Sequence, residues 1–136
     1  MKTRKLIAML SVVIGMSVGA QLASAASCIF IGAKDAMDAK RAEHGFLGDA
    51  TTAHTMTPDR KGCFRHYVGG SVYWSIDDGA FEVHGAIRHL WAAQGWETSY
   101  LGFPRTDALT TPDGVGRFNH FQRGSIYWKP SLGAHM

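Results

Sequence analysis

Seven histidines, four tryptophans, four tyrosines and seven phenylalanines are the residues of this 136-residue chain best suited to chemistry or recognition. His84 and His89 lie five apart, His54 and His66 twelve apart, and no His-Glu-x-x-His pattern occurs. That spacing lacks the paired ligands of a helical zinc site. The histidines read as hydrogen-bonded structural groups, and neither a metal nor a cofactor is expected. Imidazole titrates at about 6.5, but nothing here selects proton sensing. Gly69-Gly70-Ser71-Val72-Tyr73 lacks the final glycine of a nucleophile elbow and leads into a strand. Asp77-Asp78 sits in a turn and faces no second carboxylate by pattern. No enzyme activity is expected.

Sugar recognition fits the composition better. It needs flat rings against sugar faces and planar polar groups for the hydroxyls. The candidate ligand-binding residues are Trp96, Glu97, Asn119, His120, Tyr127, Tyr73 and His66. Phe64, Phe118, Trp91 and Trp128 are assigned to the core, because a small domain needs the roughly 150–250 Å² that each ring buries. Trp96 follows a helix stop and has only Ala42 as its counterpart, so it is expected at the surface.

The elements that position these residues come in two copies. Thr57-Pro58-Asp59 recurs as Thr111-Pro112-Asp113, a shift of 54, and the halves then align without a gap. Phe64, His66, Gly70-Ser71 and Tyr73-Trp74 fall on Phe118, His120, Gly124-Ser125 and Tyr127-Trp128. Glu43 and Leu47-Gly48 fall on Glu97 and Leu101-Gly102. Repeat one spans about 30–83 and repeat two about 84–136 of a domain covering 26–136. In the second copy, apolar Ile87, Leu90 and Trp91 have helical spacing over 86–94, and Gly95 is the stop. In the first, 33–42 is a good helix former with a poorer core face. Residues 117–121 and 125–128 read as a β-hairpin, followed by a third short strand from Ala134. Gly70 and Gly124 hold that turn where a Cβ would clash. The expected class is α+β: two helix-plus-β-hairpin repeats packed side by side.

These residues resemble the LGFP repeat family, whose tetrapeptide stands here as Leu101-Gly102-Phe103-Pro104. The resemblance extends through Thr111–Phe121 and Gly124–Trp128. The first copy is degenerate, with Leu47-Gly48-Asp49-Ala50, Met37 in place of Trp91 and Cys63 in place of Arg117. The resemblance implies an exported actinobacterial protein and a propeller-like or partial-ring arrangement. It also implies a role in holding proteins at the cell wall through arabinogalactan or peptidoglycan.

Residues 1–25 read as a signal peptide: basic Lys2, Arg4 and Lys5, an apolar run to Ala20, then Ala23-Ser24-Ala25 before the cut. The run falls short of the roughly 20 residues that span a bilayer, so no transmembrane segment is expected in the mature chain. A lipidated Cys28 would want an aliphatic residue where Ala25 stands. Of the 14 Lys plus Arg, those three are removed with the segment, leaving 11 against 11 Asp plus Glu. Without a positive surplus, phosphate-driven nucleic-acid binding is excluded. Cys28 and Cys63, the only cysteines of an exported chain, are expected to form a disulfide. The function expected is non-catalytic, secreted binding of envelope polysaccharide. The alternative is an interaction or inhibitor module for an envelope or host protein. Weak self-association through an uncovered repeat edge is also expected.

Overall fold

The computed structural model describes residues 25–136. Apart from Ala25, the segment read as a signal peptide lies outside the described residues. No described helix is long and apolar enough to cross a membrane.

Two helices anticipate their sheets. Helix α1 spans Ala33–Glu43 and buries only Ala33 and Met37; helix α2 spans Gly85–Gln94 and buries Ile87 and Trp91. Both pairs are four apart, so one narrow stripe of each helix meets the core. Helix α2 stops where expected: Gly95 has φ 111°, and its N–H reaches the carbonyls of Trp91 and Ala92.

Each helix precedes a four-stranded antiparallel meander. The first is β1 Thr55–Met56, β2 Gly62–Tyr67, β3 Gly70–Ser75 and β4 Gly79–Val83. The second is β5 Leu109–Thr110, β6 Arg117–Phe121, β7 Gly124–Lys129 and β8 Gly133–His135. Registers repeat: Phe64 faces Tyr73 as Phe118 faces Tyr127. Sequence pattern misses β1 and β5, which are two residues long and too short for an alternation to show. The class is α+β, and both sheets are open among the described residues.

The repeated residues have local reasons. Thr57 Oγ1 donates to Asp59 Oδ1 (2.7 Å) and accepts from Gly62 N–H (3.1 Å). The second copy repeats this with Thr111, Asp113 and Gly116. A Cβ on Gly124 would lie 2.8 Å from Leu101 Cδ2, and one on Gly70 2.9 Å from Leu47 Cδ2. The tetrapeptide leucine therefore seats on the hairpin glycine in both copies.

Alternation along β3 makes the first sheet two-sided. Val72 and Trp74 pack with α1 residues Ala33 and Met37, while Tyr73 joins Ile87, Trp91 and Phe103 of the second repeat. Helix α2 rests on β7 and β8 and also reaches back to β3. Among the described residues, the second sheet is covered on its α2 side only. The Cys28–Cys63 disulfide is present. It ties β2 to a segment already paired with β1, where Cys28 N–H donates to His54 O (3.0 Å) and Met56 N–H to Ala26 O (2.8 Å).

Candidate functional site

The junction between repeats gathers most of the sequence-selected residues, and it buries them. Tyr73, 2% exposed, meets Trp91 edge-on at 4.7 Å and stacks with Trp96 at 5.7 Å. Burial raises its phenol pKa, with nearby Glu97 adding to the rise. Trp96 is half-buried, which corrects the surface placement expected for it. Its ring lies against His66 (5.2 Å) and Trp91 (5.3 Å), with the Arg88 guanidinium 5.1 Å from its centre. Comparison with Ala42 is misleading because, among the described residues, no sheet precedes the first helix. Trp96 also holds φ 57°, a left-handed conformation that a bulky residue adopts only when its surroundings enforce it.

Arg88 organises the polar part of this junction. Its Nε donates to Ser71 Oγ (2.7 Å), and that hydroxyl lies 2.6 Å from His66 Nδ1. Burial, then the Arg88 charge, lowers the His66 pKa to about 4. His66 is thus neutral at physiological pH, and Ser71 can donate to its bare Nδ1 while accepting from Arg88. Asn119 is fully buried; its Nδ2 donates to Glu82 O and Thr106 O, both at 3.0 Å. It ties the two repeats together from inside, where a wall polymer has no access.

Beside the junction lies a polar cleft of about 290 Å³. Asp59, Lys61, Ser75 and Asp77 line its first-repeat side, and Glu97, Gln122 and Arg123 its second-repeat side. Glu97 is 5% exposed, and its pKa is pushed up to about 7, mainly by burial, with the Asp59 charge adding to the rise. Gln122 is held by Asp78 and by Phe103 N–H, and Arg123 by the carbonyls of Tyr100 and Ser99. Of this cleft, sequence reasoning selects Glu97 alone. The others come from turns of both repeats that only the packing brings together.

His120 and Tyr127 stand elsewhere, exposed on the uncovered side of the second sheet, and Tyr127 is 40% exposed. Two further groupings were not anticipated. The ligand atoms of Glu43, His44 and Asp107 lie within 4.8 Å of one another. Asp107, however, already accepts from Lys40 Nζ (2.9 Å) and Glu82 N–H (3.0 Å), so this is an inter-repeat ion pair. A smaller, more apolar cavity of about 190 Å³ lies at the start of α2, bounded by His84, Ile87, Arg117 and Trp128.

A family model described as LGFP repeat matches residues 47–99 and 101–136. Its two units begin at Leu47 and Leu101, the same 54-residue period read from the sequence. No curated protein matches the chain.

Proposed function

We propose that this chain, which belongs to the LGFP repeat family, is a secreted, non-catalytic module that binds cell-envelope polysaccharide in the cleft between its repeats. The observation that carries this reading is the cleft's polar lining around Glu97. A carboxyl with a pKa of about 7 can donate or accept a hydrogen bond near neutral pH, which suits sugar hydroxyls that do both. Lys61 and Asp77, exposed on the opposite wall, add a donor and an acceptor. The disulfide supports an oxidising, exported setting. The way α2 fills the outer face of the first sheet supports a partial ring, since the same contact can recur from repeat to repeat.

The test is retention of the mature chain on insoluble arabinogalactan–peptidoglycan. The parent is expected in the pellet, and a Lys61→Ala/Asp77→Ala double variant largely in the supernatant with an unchanged melting temperature. A parent that stays soluble, or a double variant retained like the parent, overturns the reading.

A further inference from the structure

The two sheets present the same outward face, occupied in one case and uncovered in the other. On the first sheet, Phe64 and Tyr73 stack at 5.3 Å with 20° between rings, and His66 lies 4.8 Å from Phe64. On the second, Phe118 and Tyr127 stack at 5.4 Å and 25°, and His120 lies 4.9 Å from Phe118. The His–Ser pair is duplicated too: His120 Nδ1 lies 2.6 Å from Ser125 Oγ, as His66 Nδ1 does from Ser71 Oγ. What differs is the occupant. The first face receives Arg88 on Ser71 and the rings of Trp91 and Trp96 on Tyr73. Among the described residues the second face receives nothing, and His120 and Tyr127 are exposed.

We propose that Phe118, His120, Ser125 and Tyr127 form a preformed docking face for the helix of a further intact repeat, one presenting an arginine and two tryptophans spaced as Arg88, Trp91 and Trp96 are. The chemistry of the occupant is read from this molecule itself. The residues that Arg88, Trp91 and Trp96 touch there, His66, Ser71 and Tyr73, recur with Phe64 at the same positions of the second sheet as His120, Ser125, Tyr127 and Phe118. Because the acceptor groups already hold the bound arrangement, docking needs little reordering on this side.

A second copy of this chain is a poor occupant, for two reasons. Its α2 is already engaged by its own first sheet. Its α1 carries Lys34, Met37 and Ala42 where the gripping residues are Arg88, Trp91 and Trp96, and Asp49 where Phe103 stands. The place in front of α1 is also filled. Cys28 stands 54 residues before Glu82, which is near the end of β4, and it is fixed in front of α1 by the disulfide and by His54 O. A partner's β8 would have to displace that segment.

The test is a nuclear magnetic resonance titration of the isotope-labelled full chain with a synthetic peptide of residues 84–104. A second form of the peptide has its helix locked by a lactam between positions 89 and 93, both exposed in the parent. Shift changes confined to Phe118, His120, Ser125, Tyr127 and their neighbours are expected. Binding should weaken by about tenfold or more when Arg88→Ala and Trp96→Ala are introduced into the peptide, or Ser125→Ala or Tyr127→Ala into the chain. No change at this face with millimolar locked peptide overturns the proposal, as does equal binding by the substituted peptide. Concentration-dependent shifts of the same residues without peptide assign the face to a second copy instead. Displacement of the peptide by soluble arabinogalactan assigns it to sugar. Either result also overturns the proposal.

Discussion

Tyr73 and Tyr127 form an internal control, because they are the same residue in the same register on two sheets and differ only in what covers them. Tyr73 is 2% exposed beneath Trp91, Trp96 and Phe103, whereas Tyr127 is 40% exposed. Removing a buried aromatic ring costs about 3–5 kcal/mol. Tyr73→Ala should fall in that range, because α2 and the first sheet would be left facing a cavity. Tyr127 keeps only its contacts within its own sheet, chiefly Phe118, so Tyr127→Ala should cost roughly 1 kcal/mol. For a domain of this size about 4 °C of melting temperature is lost per kcal/mol, or somewhat more. Tyr73→Ala should therefore melt about 10 °C or more below Tyr127→Ala. Thermal melts of both variants, followed by far-ultraviolet circular dichroism at one protein concentration, check this. Equal losses would refute the asymmetry, and with it the claim that one face is occupied and the other open.

Trp96→Ala should lower the melting temperature by about 10 °C, through lost packing and the lost contact with Arg88; a shift under 2–3 °C (about 0.5 kcal/mol) would return that ring to the surface. Reducing Cys28–Cys63 opens a loop spanning a sequence separation of 35, which loop-closure entropy values at roughly 4 kcal/mol. The melt should fall in reductant, and a Cys28→Ala/Cys63→Ala chain should melt at the reduced value with or without reductant. Two groups set opposed pH dependences. Glu97, raised to about 7, penalises the folded state increasingly as pH climbs from its unfolded value, near 4.5, through 7. His66, lowered to about 4, costs stability as pH falls from 6.5 through 4. Glu97→Gln should thus stabilise the fold at pH 8 and leave stability rising from pH 4 to 6.5; a variant with the parent's pH profile would show that Glu97 is not desolvated.

The repeat, both helices, the central hairpins and the disulfide pairing were legible because each leaves a local mark. Periodicity places Ile87 and Trp91, Gly95 stops α2, and two cysteines leave one pairing. Side-chain exposure at the junction was not legible. Identity at equivalent positions shows that Tyr73 and Tyr127 are repeated, but burial belongs to the neighbour, and that neighbour lies elsewhere in the sequence. Trp96 is misplaced by sequence for the same reason, since Ala42, with no preceding sheet beside it among the described residues, says nothing about a site that exists only between repeats. Asn119 looked like a polar partner for sugar and proved to be an internal tie to Glu82 and Thr106. The cleft around Glu97 draws on turns that alignment of the two copies never brings together, so only one of its residues could be selected in advance.

The degenerate first copy has a physical logic of its own. A repeat stack has a directional interface, with a helix face on one side and a sheet face on the other, and each end needs a different treatment. At the α1 end the gripping set is dismantled: Lys34, Met37, Ala42 and Asp49 replace an arginine, two tryptophans and a phenylalanine. Lys34, Ala42 and Asp49 are solvent-exposed, so the change removes rings that would otherwise face water. The same end gains the disulfide, which holds a strand-like segment where an upstream β4 would run. Cys28 and Cys63 stand 54 residues before Glu82 and Arg117, so the crosslink takes the place of inter-repeat polar ties such as Ala108 N–H to Glu82 Oε1 (2.9 Å). On the outer face of the second sheet His135 stands where Phe81 does in the first, but Phe118, His120, Ser125 and Tyr127 are all retained. Degeneration confined to one end is what capping demands. Retention at the other end is not needed for the stability of the described residues, because an exposed Tyr127 contributes little there.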